Sequence, residues 1–82
     1  MASYLIMTGC DNGAAYAECD QYVETLAIAR REASDLSKMG CGQIRVYEFA
    51  HADDAQDYVD EKDSRWPSKT VAKLVLTKNP RD

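Results

Sequence analysis

Between residues 22 and 39 the apolar positions Val23, Leu26, Ala29, Ala33 and Leu36 recur every three or four residues, the spacing of a helix with one buried stripe. On both sides of this stretch the period drops to two. Gln43 to Ala50 alternates Ile44, Val46 and Glu48 with Arg45, Tyr47 and Phe49, and Thr70 to Thr77 alternates Ala72, Leu74 and Leu76 with Val71, Lys73 and Val75. Both patterns are those of strands, whose successive side chains point to opposite faces. Residues 4 to 11 also have strand character and run into Asn12-Gly13, a pair suited to a two-residue type I′ turn because both of its central positions need positive φ.

Residues 4 to 21 are therefore expected to form a hairpin in which Ile6 opposes Cys19, Thr8 opposes Ala17 and Cys10 opposes Ala15. Asp20 is expected to cap the helix, with Glu24 in its first turn and Lys38 and Gly40 at its end. The expected fold class is α+β: a four-stranded antiparallel sheet in the order strand, strand, helix, strand, strand, with one main helix on one face. A single helix covers one face only. Unless something lies over it, the other face is expected to expose some of Leu5, Met7, Tyr16, Tyr47, Phe49, Val71 and Val75, and apolar area of that size commonly marks an interface, through which a structural or assembly protein would self-associate as a possible homodimer.

The chain has 82 residues, enough for a single domain over residues 1–82 with one modest core. A hydrophobic fraction of 45% argues for a folded chain rather than a disordered acidic tail. No apolar run is long enough to cross a membrane, and the opening Met1-Ala-Ser-Tyr-Leu-Ile-Met7 lacks a basic leader, so a cytoplasmic protein is expected. Cys10, Cys19 and Cys41 are odd in number and show no C-x-x-C spacing, which points to reduced thiols rather than disulfides or a zinc site. Cys41, between Gly40 and Gly42, has no evident cationic neighbour to activate it. His51, the only histidine, is two residues from Asp53 but lacks a nucleophile or an oxyanion site, so it reads as a turn residue at the strand end. Neither a metal, a cofactor nor a catalytic residue is assigned.

The charge is concentrated. Asp53, Asp54, Asp57, Asp60, Glu61 and Asp63 are six of the 14 acidic residues and fall within eleven positions. With Lys62 the run carries −5, so the remainder sums to +1 and this stretch alone makes the net charge of −4. It lies in a 19-residue connection from His51 to Lys69, long enough that a functional loop or a short helix of one or two turns is expected, with Asp54 as cap and Ala55, Tyr58, Val59 and Lys62 at helical spacing. Trp66-Pro67 ends it. An EF-hand is excluded, because no register of the run supplies the required Gly and Glu.

Two readings of the run stay open: a solvated loop, or a surface that docks on a basic partner. Tyr58 within the run and Trp66 close by favour docking, since large aromatics anchor interfaces. Direct contact with nucleic acid is not expected. Arg45, Tyr47 and Phe49 lie on a strand without the glycines and basic residues of an aromatic stacking motif, and a pI near 4.8 opposes phosphate.

In general character the chain resembles the short, acidic, single-domain proteins of bacteriophages and other mobile elements, including anti-CRISPR proteins. The features that carry the resemblance are the compact opening Met1-Ala-Ser-Tyr-Leu-Ile, the isolated small α+β domain and the Asp53 to Asp63 cluster. It implies a non-enzymatic inhibitor in a bacterial cytoplasm that occupies a basic, nucleic-acid-binding surface of a host protein such as a CRISPR effector. The resemblance gives no residue a catalytic role.

Overall fold

In the computed structural model, residues 2–9, 15–17, 22–39, 42–60 and 66–79 are described. The period-two segments form an antiparallel sheet. β1 (Ser3–Gly9) and β3 (Gln43–Phe49) pair along their whole length, from Ser3 opposite Phe49 to Gly9 opposite Gln43. β4 (Lys73–Lys78) lies on the other side of β3. A three-residue segment, β2 (Ala15–Ala17), pairs with the far edge of β1, giving the order β2-β1-β3-β4.

The β2 register places Ala17 opposite Met7, Tyr16 opposite Thr8 and Ala15 opposite Gly9. This is one residue away from the expected pairing of Thr8 with Ala17. Residues 10–14, with the expected turn, lie outside the described residues.

The long helix is α1 (Leu26–Met39), and it starts later than the periodicity suggested. The Thr25 hydroxyl accepts a hydrogen bond from the Ile28 amide at 3.2 Å, so Thr25 supplies a cap; Asp20, the expected one, lies outside the described residues. Ahead of it, Val23 bridges Tyr4 through two backbone hydrogen bonds of 2.8 Å, which commits residue 23 to extended pairing instead of a helical turn. Ala29 and Ala33 bring α1 onto Ile6, Ile44 and Val46, all buried. At the far end the Ser37 hydroxyl donates to the Asn79 carbonyl at 2.7 Å, tying α1 to the segment after β4.

The opposite face corrects the expectation of one helix over an open sheet. Within the acidic run, α2 (Ala52–Asp60) forms a second helix whose Ala55 and Val59 are buried. Together with Ala72 they cover Leu5, Met7, Tyr47 and Phe49, and Tyr22, Tyr58 and Trp66 pack around the margin. A nine-residue helix is marginal alone. Burial of its apolar side, at about 1.5–3 kcal/mol for a fully buried large side chain, is what holds α2 and the face beneath it together. The sheet thus lies between two helices.

A register shift between Val46 and Tyr47 sets the facing of β4: Val46 pairs with Leu76 and Tyr47 with Leu74. Val75 and Leu76 both reach the cluster under α1, so strict alternation fails in β4 because the extra residue sits at the bulge.

Candidate functional site: the outer side of α2

Helix α2 begins on His51, whose carbonyl accepts from the amides of Asp54 and Ala55 at 3.2 and 3.3 Å. The helix thus starts ahead of Asp54, the residue expected to cap it. Asp53 and Asp54 fall in the first turn, where the exposed amide groups and the helix dipole favour negative charge. At about 100° per residue, Asp53, Asp57 and Asp60 share an arc of roughly 60°, Asp54 borders it, and Ala55 and Val59 point the other way. All four carboxylates are exposed. The Gln56 amide donates to Asp60 Oδ1 at 3.0 Å along the same side. The acids of α2 therefore form one surface, held from behind by the core. Glu61 and Asp63 lie outside the described residues.

The two aromatic anchors turn out differently. Tyr58 is half-buried with its ring 6.0 Å from that of Phe49, so it spans the edge between the acidic side and the core. Trp66 is half-buried at the Gly9 end of the sheet, 6.2 Å from the Tyr47 ring and 4.3 Å from the Arg45 guanidinium carbon. A Cβ on Gly9 would overlap its indole carbons. The ring of Trp66 packs on the margin of the core there and, like Tyr58, is half-buried.

The sheet-face interface is corrected as well. Leu5, Met7, Tyr47 and Phe49 are each 4% exposed or less, because α2, Ala72 and Trp66 cover them. The side chain of Tyr16 lies outside the described ones. Val75 packs towards α1, while Val71 and Leu74 remain exposed at 49% and 45%. Burial also removes Tyr47 and Phe49 as platforms for bases. Arg45, expected only as a flank to them, donates from Nε to Gln43 Oε1 at 2.9 Å and from Nη1 to the Tyr47 hydroxyl at 3.2 Å, while its plane packs near Trp66.

Beside the start of α2 is a cleft of about 290 Å³ lined by Ala2, Ser3, Tyr22, Glu24, His51, Ala52 and Asp53. Of these, only His51 and Asp53 had been considered together. The Tyr4–Val23 bridge draws Tyr22 and Glu24 alongside β1, a long-range pairing for which the sequence has no local signal. Among the described residues, no group of three or more His, Cys, Asp or Glu side chains is placed to hold a metal ion, and no helix is long and apolar enough to cross a membrane. Cys10, Cys19 and Cys41 lie outside the described residues.

No family model, no curated protein and no solved structure matches the chain.

Proposed function

We propose that this protein is a non-enzymatic binding module that sets the outer side of α2 against a basic surface of another protein. The observation that carries the reading is the placing of four exposed carboxylates, Asp53, Asp54, Asp57 and Asp60, on a helix whose other side is buried. A surface fixed in this way loses little conformational entropy on docking, and its field steers a cationic partner into place. Tyr58, half-exposed at the edge of the patch, supplies apolar contact area beside the charge.

Along the helix Asp53, Asp57 and Asp60 follow one another at about 5 Å per charge, the same order as the phosphates of one nucleic-acid strand, at about 3.4 Å of axis each. The partner surface this suits is one that otherwise holds nucleic acid. In its most specific form the proposal is an inhibitor of phage or mobile-element origin acting in the bacterial cytoplasm, with a CRISPR effector as one such target.

The experiment is charge reversal. Asp57→Lys with Asp60→Lys is expected to slow association with a basic partner about tenfold at low salt and to flatten the salt dependence, with the melting temperature nearly unchanged. Association kinetics identical to those of the parent at every salt concentration would remove the proposal.

A further inference from the structure

We propose that the free edge of β4 takes a fifth strand, an extended segment of a partner protein in which acidic and apolar residues alternate. β4 ends the strand order β2-β1-β3-β4, and among the described residues Lys73 to Lys78 pair their backbone with β3 alone. Alternate N–H and C=O groups along that edge point outward, which is the template on which a peptide strand is added. The inference does not rest on the docking of α2, since the two surfaces call for partners of opposite charge.

The register gives this edge two chemically different sides. Leu74 and Thr77 stand opposite Tyr47 and Arg45, on the side of the sheet that faces α2, whereas Lys73 and Lys78 stand opposite Glu48 and Ile44, on the side that faces α1. On the α2 side the cover stops short of β4. Leu74 is 45% exposed and Val71, in the turn before the strand, 49%, so an apolar residue of an added strand gains a cross-strand neighbour there. On the α1 side Lys73 is exposed and Lys78 half-buried. Residues 66–79 hold these two lysines and Lys69, with no Asp or Glu, and Glu48, the acid of β3, lies one strand further in. The edge of this acidic chain is locally positive.

Successive residues of a strand face opposite sides, so the segment that satisfies both sides has acids towards Lys73 and Lys78 and apolar groups towards Leu74. Charge also decides against other occupants. A second copy of β4 sets lysines against lysines, and like charges directly across a strand pair destabilise it. Nucleic acid matches the lysines but leaves Leu74 and the open ladder groups unused, and a net charge of −4 opposes it. The register shift between Val46 and Tyr47 keeps the contact short: the regular ladder runs from Leu76 to Lys78, with Leu74 across the bulge.

The test follows backbone amide signals of the isotope-labelled full chain during titration with an end-blocked heptapeptide of alternating Glu and Val. The signals of Leu74 to Lys78 are expected to move along a saturable curve. The same peptide with every amide N-methylated keeps its charge but loses its N–H donors, and should bind at least about tenfold more weakly. Lys73→Gln with Lys78→Gln should weaken the parent peptide about tenfold, the scale of two exposed ion pairs, and Leu74→Ser should weaken it too. Arg30→Gln with Arg31→Gln makes the same charge change on α1 and should leave binding unaltered. If the peptide moves none of these signals, or binds as tightly when N-methylated, no strand is added at β4. A response to single-stranded oligothymidylate and not to the peptide would make the edge a phosphate site, and shifts of the same signals on concentrating the chain alone would make its occupant a second copy. Either result overturns the inference.

Discussion

Gly9 leaves open the volume that the Trp66 indole fills: any Cβ on residue 9 would collide with the ring carbons. Gly42, with φ at +106°, stands close by, and a Cβ there would lie 2.7 Å from the Gly9 carbonyl oxygen. The segment after the acidic run can therefore return to the sheet only because this corner has no side chains in the way.

From that contact, Gly9→Ala is expected to destabilise the fold by about 1–3 kcal/mol, the usual cost of forcing extra volume into a packed site. In a Trp66→Ala background the same change should cost much less. Urea denaturation of the four variants checks the coupling, and equal costs in both backgrounds would show that the indole is not the obstacle.

Phe49 is fully buried beneath α2 with Tyr58 against it. Phe49→Ala should cost about 3–5 kcal/mol, a large share of the roughly 5–15 kcal/mol that stabilises a typical domain. Circular dichroism during denaturant titration measures this. A loss below about 1 kcal/mol, the size expected of a surface site rather than a core one, would mean that the face under α2 is not a packed core.

Thr25→Ala removes the side-chain cap on the Ile28 amide. The expected loss is about 1 kcal/mol, or roughly 4–8 °C in melting temperature for a domain of this size. Asp20→Ala should do less. The reverse ranking in a thermal melt would place the start of α1 upstream.

With Leu5, Met7, Tyr47 and Phe49 covered, the broad apolar face that would drive dimerisation is gone. The outer edge of β4 carries Lys73 and Lys78 at its ends, and charged ends discourage edge-to-edge pairing of strands. Light scattering across a wide concentration range is expected to give the mass of one chain throughout, and growth of that mass with concentration would point to the exposed Val71 and Leu74 as contacts.

Much of this was legible in the residues. The α+β class, β3 and the body of α1 follow from the change of period at Gln43 and from Leu26, Ala29 and Ala33. The start of α1 did not, because Val23 fits the helical stripe and the strand pairing with Tyr4 equally well, and only tertiary contact decides between them. The second helix was half visible. Ala55, Tyr58 and Val59 have helical spacing, but with so few apolar groups among so many acids, the spacing did not show that the segment folds back over the sheet. Once it does, the supposed open face becomes core, and Trp66 packs at its margin. The exposure of Asp53, Asp54, Asp57 and Asp60 was the readable part of the candidate site. The cleft was not readable, since Ser3, Tyr22, Glu24 and Asp53 meet only through pairing across β1 and the packing of α2.

The sheet clothed by a helix on each side leaves recognition to the periphery. Over β1 and β3 neither broad surface is available to another molecule without first displacing a helix, so new contacts there have to form on helix exteriors and along strand rims. Substitutions made there to retune what the protein grips can be chosen with little regard for the packed interior, and the binding surface is free to diverge faster than the scaffold that carries it.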